Sequence, residues 1–308
     1  TLGMTSAAKH LAAAGLLLFA ACKSTPHAQM PDSEQYLPPD VEAMSLLGKP
    51  LHPPQLSSDV QKQREDALAS AMRELEADRV DPGAAVLVSD RLADLGRYRE
   101  AIDLLSDWIR AHPNDARLYL ARGHRLINVR RFSAAVSDLQ SASLLDRNNR
   151  DVLYHLGLAH YLLGEFDQAL AAYTRCLRVS SSADDLVATS NWMFMTLRRL
   201  GRQQDADKLL EPISIDLDVR QSVAYHKLLL MYEGEIAPEE LSRQDVNTTD
   251  GATLLYGVGN WQFVSGRPDR ALPMWREILD GNQSFTFGYI AAEAEVARLD
   301  KPVSPRAQ

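Results

Sequence analysis

Residues 153–177 read LYHLGLAHYLLGEFDQALAAYTRCL, and this stretch decides the fold. Its apolar residues recur every three or four positions on either side of Gly164, which is the spacing of two helices that each bury one face. Gly157 in the first half and Ala169 in the second half are small, so the two helix backbones can approach closely. Gly164 provides the turn, and Phe166 fills the space above it. The stretch therefore predicts a helical hairpin.

The same pattern occurs six times along the 308-residue chain. A small residue or its replacement is usually followed by a bulky residue two positions on and by an alanine five positions on. Consecutive first positions are 34, 34, 37, 33 and 32 residues apart, the period of a helix-turn-helix repeat. Such repeats bury their apolar faces only by stacking, so we expect an all-α, right-handed superhelical solenoid of about six repeats with a capping helix at each end. The first positions are Gly96, Arg130, Gly164, Gly201, Gly234 and Gly266.

Helix signals on either side of the repeats set the predicted boundaries. Ser58 and Gln61 have the spacing of a capping box, and Asp81 followed by Pro82 is typical of a helix start. The 37-residue spacing in the middle of the array indicates extra residues, which we expect in a loop at 180–185. The predicted segments are a capping helix at 57–80, the solenoid at 81–283, a second capping helix at 284–299 and a disordered tail at 300–308.

The N-terminal residues are typical of an exported protein. Lys9 precedes an apolar run at 11–21, which as a helix spans about 16 Å, roughly half of a bilayer core. The run therefore predicts a signal peptide at 1–21, with its start at Met4, and no stable membrane span.

Cys22 follows two alanines, and this junction resembles a bacterial lipobox, although Phe19 stands where leucine is usual. The resemblance implies that acyl chains on Cys22 hold the protein in the cell envelope facing the periplasm, and Lys23 favours the outer membrane. Residues 22–56 are rich in proline and predict a tether, with a short apolar patch at 44–47 that can dock on the solenoid. A secreted or soluble periplasmic protein without a lipid is the alternative.

Charge and motifs argue against nucleic-acid binding and catalysis. A net charge of -8 and a pI near 5.5 oppose binding to phosphates. The chain has no CxxC, HExxH, GxSxG or Walker sequence, so we expect no catalytic residue, metal, cofactor or small-molecule substrate. Histidines such as His155 and His160 are expected in the core or in a groove. Arg130–Arg131 and Arg198–Arg199 are typical of solvated helix ends.

From residue 82 to about 279 the landmark positions resemble those of the tetratricopeptide repeat. Two phrases, RGHR at 122–125 and LVATSNWMFMTLRRL at 186–200, resemble a family of poorly characterised bacterial tetratricopeptide lipoproteins. The order of lipobox, linker and helical array, with YEGEI at 232–236 before a late repeat, is similar to the NlpI-type outer-membrane lipoproteins. That resemblance implies an adaptor that brings a periplasmic protease and murein hydrolases together.

In tetratricopeptide modules the ligand usually contacts the first helix of each pair, which implies a candidate groove. Amides, rings and charges at these positions suit an extended peptide. We therefore expect a non-catalytic adaptor for peptide or protein partners, attached to the membrane through the lipid on Cys22. A structural subunit or assembly factor of an envelope or secretion complex is the alternative. Leu158, Tyr161 and Phe263 also match groove positions, but core packing fits them equally. The candidate groove residues are Asp90, Arg117, His124, Asn128, Tyr154, Asn191, Met195, Arg198, Tyr256 and Asn260.

Overall fold

The computed structural model describes residues 37–300, and most of these residues are helical. The all-α prediction is confirmed. The predicted signal peptide, Cys22, the tether up to residue 36 and the tail from 301 lie outside the described residues. Between residues 37 and 300 no helix is long and apolar enough to cross a membrane.

The helices form pairs that stack in chain order. After α1, the pairs are α2–α3, α4–α5, α6–α7, α8–α9, α10–α11 and α12–α13, and in the first three pairs the second helix packs on the first helix of the next pair. The helices are α1 (Ser58–Ala77), α2 (Pro82–Asp94), α3 (Tyr98–Ala111), α4 (Ala116–Asn128), α5 (Phe132–Leu145), α6 (Arg150–Leu163), α7 (Phe166–Val179), α8 (Ala183–Arg199), α9 (Gln203–Leu210), α10 (Val223–Glu233), α11 (Pro238–Leu241), α12 (Thr249–Val264), α13 (Pro268–Asp280) and α14 (Phe287–Leu299).

Five of the first helices in these pairs begin at a capping side chain. Each cap accepts a hydrogen bond from a backbone N–H of the first turn, a group that has no partner inside the helix. One such cap contributes about 1 kcal/mol to helix stability. The helix start predicted at Asp81 is therefore present. The caps are Asp81, Asp115, Asn149, Ser182 and Thr248.

The cap of α1 lies one residue before the predicted one. The Ser57 hydroxyl accepts a hydrogen bond from the Val60 N–H at 3.4 Å. The Gln61 side chain does not reach back to the cap and donates to Glu65 instead, at 2.6 Å. A capping box requires that return bond, so the capping-box prediction at Ser58 and Gln61 is wrong, although a helix forms there.

The six landmark positions share one backbone conformation. Gly96, Gly164, Gly201, Gly234 and Gly266 have φ between 72° and 95°, which glycine adopts without steric cost. Arg130 has φ 65° and is the one non-glycine residue with positive φ in the described part of the chain. The repeat therefore requires a left-handed residue after the first helix of each pair, and an arginine occupies that position in the second pair.

Small residues set the distance between paired helices. A Cβ atom on Gly157 would lie 2.5 Å from the Tyr173 ring, and one on Gly259 would lie 2.6 Å from the Trp275 indole nitrogen. Both contacts are far below van der Waals distance, so the large rings of the second helices occupy space that only glycine leaves open. The predicted close approach at Gly157 is confirmed.

The fourth pair departs from the regular pattern. Its first helix, α8, has 17 residues, whereas α2, α4 and α6 have 13 or 14. The extra residues of the 37-residue spacing therefore lengthen this helix, and the prediction that they form a loop at 180–185 is wrong. The reason is local, because Ser182 caps α8 and places Asp184 and Asp185 in its first turn, where negative charge is favourable.

Residues 37–54 pack against the helices as a short hairpin and are not an extended tether. Strand β1 (Ala43–Met44) pairs antiparallel with β2 (Pro50–Leu51), and Ala43 and Leu51 are buried. The Glu42 carboxylate accepts the Arg99 N–H at 2.9 Å. The tether boundary at residue 56 is thus too late, because apolar residues in this segment find buried positions.

The last helix, α14, packs on both α12 and α13, as the first helix of a seventh pair would. Its residues Gly288–Val296 are all buried. It also contacts α6, the first helix of the third pair. The predicted capping helix therefore does more than cover the end of the array.

Candidate functional site

The inner face is defined here as the side formed by the first helices of the pairs. In pairs three to six, the back repeats, these helices contact one another directly. The Tyr161 and Tyr256 hydroxyls lie 2.9 Å apart, and Asn260 Nδ2 donates to the Tyr161 hydroxyl at 2.7 Å. Trp192 stacks on Tyr256 with ring centroids 5.9 Å apart. The inner face of the back repeats is therefore closed by its own side chains.

This closure removes half of the predicted groove residues from contact with a partner. Tyr154, Asn191, Met195, Tyr256 and Asn260 are all buried, and Leu158 and Tyr161 are buried with them. The sequence positions were those of groove residues, but the first helices approach so closely that these side chains fill the space between them. In this conformation they are packing residues, which corrects their assignment to a groove.

The segment before α14 covers a further part of the inner face. Asn128 Nδ2 donates to the Phe285 carbonyl at 2.8 Å, and Tyr98 stacks on the Phe285 ring with centroids 4.5 Å apart. Phe287, the first residue of α14, lies against His124, with centroids 5.3 Å apart. Asn128 is therefore already bound within the chain, and His124 is partly covered.

Two buried ion-pair groups hold α14 in place. Arg130 donates to Glu293 at 2.6 Å, and their side chains are only 2% and 1% exposed. Arg199 pairs with Glu295 at 2.9 Å, and Arg298 lies 3.4 Å from the same carboxylate. The prediction of solvated helix ends is wrong for Arg130 and Arg199, because acidic residues on α14 reach them inside the array.

Arg198 is half-buried and points away from these groups. Its Nη2 donates to the Val264 carbonyl at 3.4 Å, and its guanidinium lies 5.8 Å from the Phe194 ring centroid. Burial lowers the pKa of Arg198. It is thus a packing residue with a polar contact and not part of an open groove.

The accessible part of the inner face lies on α2 and α4, in the first two pairs, the front repeats. Asp90 pairs with Arg125 but its side chain remains about half exposed. Arg117 is more than half exposed and pairs with Asp115 at 2.7 Å. Of the ten candidates, Asp90, Arg117 and the partly covered His124 remain within reach of a partner.

Two apolar residues of this accessible face were missed from the sequence. Val86 lies one helical turn before Asp90, and Leu120 lies one turn before His124. Both are partly exposed, and spacings of four residues place them on the same helix faces as the polar candidates. That spacing could have identified them.

Residues 151–182, which contain α6 and α7, match the family model of the tetratricopeptide repeat. This helix pair is therefore similar to a tetratricopeptide repeat. Helix pairs of the same kind, joined by a left-handed residue, continue on both sides of the matched residues. No curated protein sequence matches the chain.

Several solved structures are similar to this array of helix pairs. YrrB, described as a tetratricopeptide protein with an unusual peptide-binding site, is 16% identical, with 75% of this chain and 100% of that chain covered and a TM-score of 0.44. MamA is 18% identical, covering 59% of this chain and 100% of that chain, with a TM-score of 0.42. In the Cut9–Hcn1 complex the values are 18% identity, 79% and 51% coverage, and a TM-score of 0.48.

A pair of histidines lies at the edge of the accessible face of the array. The rings of His124 and His155 lie 4.5 Å apart, and both contact Phe287. Burial is the main cause that lowers the pKa of His155 to about 4 and the pKa of His124 well below its usual value. Both histidines are therefore neutral at pH 7, where they act as aromatic packing groups.

The described residues offer little to a metal ion. In residues 37–300 no group of three or more His, Cys, Asp or Glu side chains is arranged to hold one. Cys176 is buried, lies 3.3 Å from the Thr189 hydroxyl, and has its pKa raised by burial. A thiol in that environment is a packing group.

Proposed function

We propose that this protein is a non-catalytic adaptor that binds a partner on the inner face of its front repeats. A tetratricopeptide fold is a scaffold for protein–protein interactions, and this supports binding to a protein or peptide. One observation supports this surface: the inner face is closed in the back repeats and accessible on α2 and α4. The partner therefore contacts Val86, Asp90, Arg117 and Leu120.

The chemistry of this face suits a peptide segment. Val86 and Leu120 supply apolar contact area, while Asp90 and Arg117 supply one charge of each sign. Apolar contacts give most of the binding free energy. The two charges fix the orientation of the bound segment and disfavour partners with like charges at the same positions. The front face is therefore expected to bind an amphipathic segment with both charges.

The closed back repeats give this face a rigid support. The hydrogen bond between Tyr161 and Tyr256 and the buried ion pairs hold α6, α8, α12 and α14 together. A surface that is already ordered loses little conformational freedom when it binds, which leaves more of the contact energy as affinity.

The proposed location is the cell envelope, with the chain anchored by acyl groups on Cys22 and the array facing the periplasm. The apolar run at 11–21 and the lipobox-like junction support this proposal. A lipid anchor would concentrate any bound partner near the membrane without a new protein contact. Replacing Cys22 by alanine should release the protein from membranes in high salt and leave its precursor unprocessed. A Cys22→Ala protein of mature size that stays on the membrane would refute the anchor.

Arg117→Glu together with Leu120→Glu tests the binding surface. The exposed Arg110 on the second helix α3 provides a matched control, since Arg110 pairs with Asp107 just as Arg117 pairs with Asp115. We expect quantitative affinity capture from cross-linked cells to lose specific partners with the double variant and to keep them with Arg110→Glu. Equal capture by both proteins would refute the front face as the binding surface. Partners recovered in fixed stoichiometry with both would indicate a structural subunit instead.

A further inference from the structure

A second surface lies further along the array, where the fourth pair is incomplete. Helix α9 has 8 residues, whereas α3, α5 and α7 have 14. Pro212 follows the end of α9, and the chain continues without a helix until residue 223. The missing helical turns leave a cavity of about 640 Å³ between the end of α9, the 211–215 loop and α10.

The floor of this cavity is apolar. Leu210, Ile213, Leu230 and Tyr232 line it. Ile215, also part of the lining, is 74% exposed, which is unusual for a large aliphatic side chain. An exposed aliphatic group beside an apolar floor offers area that a partner's apolar side chain can cover.

The rim of the cavity is acidic. Within residues 37–300 none of its carboxylates forms an ion pair, although Asp205 and Asp218 close by pair with Arg202 and Arg220. Burial and the charge of Glu235 raise the pKa of Glu233, so the negative charges here are crowded. The rim carboxylates are Asp207, Glu211, Glu233 and Glu235.

This local charge dominates the charge of the whole chain. Residues 201–250 contain eleven Asp and Glu residues and five Lys and Arg residues, a net charge of -6 against -8 for all 308 residues. Acidic residues in the segment that forms the cavity therefore outnumber basic residues by about two to one.

The floor also contains a polar atom without a partner. The Tyr232 hydroxyl is inaccessible to solvent and forms no hydrogen bond with any described residue. Its ring is fixed by stacking on Phe194, with centroids 4.2 Å apart. The hydroxyl is closed to a ligand as well as to water, so Tyr232 contributes only its fixed ring to the floor of the cavity.

We propose that this cavity, the acidic pocket, binds a cationic segment of a partner protein in which Lys or Arg residues flank one large apolar side chain. The apolar side chain covers the floor and Ile215, while the cationic groups pair with the rim carboxylates. The rim repels phosphate groups, which excludes nucleic acids and anionic lipid surfaces. In the described residues no set of three ligands is placed for a metal ion, which favours cations spread along a peptide.

A peptide-binding measurement on the purified full chain tests this proposal. The probe is a fluorescein-labelled amphipathic helical peptide of lysine and leucine, and a peptide with glutamate in place of lysine is its control. Glu233→Lys with Glu235→Lys reverses two rim charges. Glu239→Lys with Glu240→Lys makes the same charge change on α11, where both residues are exposed and neither lines the pocket.

We expect the lysine peptide to bind the unmodified protein more tightly than the glutamate peptide. The pocket variant should weaken binding about tenfold and the α11 variant less than about twofold. Ile215→Ser, which keeps every charge, should also weaken binding. Equal loss in both charge variants, or no effect of Ile215→Ser, would overturn the proposal in favour of non-specific attraction to a negative protein. This pocket and the front inner face share no residue, so either proposal can fail without the other.

Discussion

For the replacement of Arg130 by glycine, the local backbone conformation and the tertiary contacts predict opposite changes in stability. Five of the six landmark positions hold glycine, and Arg130 adopts the same left-handed conformation at φ 65°. A non-glycine residue there costs about 1–2 kcal/mol, so Arg130→Gly would stabilise the protein if only the turn mattered. The structure adds the Glu293 ion pair and hydrogen bonds from Arg130 to the Asn128 and Ser284 carbonyls, both at 2.6 Å.

We expect Arg130→Gly to lower the free energy of unfolding by about 2–3 kcal/mol. Removing one partner of a buried ion pair costs about 3–5 kcal/mol, because the remaining charge is left in the interior, and the relieved backbone offsets part of that cost. Adding Glu293→Gln removes the buried charge and should recover about half of the loss. Arg131→Gly is the matched control, since Arg131 is exposed and has an ordinary negative φ.

Urea unfolding measures the change in global stability, and amide hydrogen exchange measures the change in the local stability of α14. We expect faster exchange of α14 amides in Arg130→Gly, because Glu293 lies on that helix. A variant that is more stable than the unmodified protein, with unchanged exchange in α14, would refute the reasoning. The double variant must also be more stable than Arg130→Gly alone.

Three further predictions concern other parts of the array. The pKa of His155 is lowered to about 4, so as the pH falls the unfolded chain binds a proton before the folded protein does. The free energy of unfolding should therefore be at its full value above about pH 6.5 and fall by up to about 3 kcal/mol towards pH 4. Thermal unfolding of His155→Leu should show a flatter pH profile, and an unchanged profile would count against a lowered pKa at His155. Gly157→Leu should lower the free energy of unfolding by more than about 3 kcal/mol, because the leucine side chain would overlap the Tyr173 ring. A Tm within a degree of that of the unmodified protein would contradict the close packing of Gly157 on Tyr173. Glu42→Ala should increase protease cleavage within 37–54 by removing the acceptor of the Arg99 N–H, whereas no change would show that the remaining polar and apolar contacts are enough to hold the hairpin.

The helix pairs could be predicted from the sequence because each depends on local signals. Glycine spacing marks the left-handed turns, and capping side chains mark the helix starts. Even Arg130 was placed correctly, because the period fixed its position although glycine was absent. A repeat of this kind is specified mostly by contacts between neighbouring helices, which lie close in sequence.

The closed inner face could not be predicted in the same way. Tyr161 meets Asn260 across 99 residues, and Arg130 meets Glu293 across 163 residues. Such contacts depend on the sum of the small rotations between successive helix pairs, and no short stretch of sequence predicts that sum. Groove positions and core positions lie on the same face of the first helices, so the sequence alone does not distinguish them. Tyr154 and Tyr256 are core residues because other first helices pack against that face.

Site-specific photo-cross-linking in cells tests the central claim, that partners bind on the inner face of the front repeats. A photoreactive amino acid is introduced at Leu120 on α4 and, as a control, at the exposed Asp103 on α3. We expect a partner adduct from position 120 and none from position 103. Adducts from position 103 alone, or equal adducts from both positions, would contradict it.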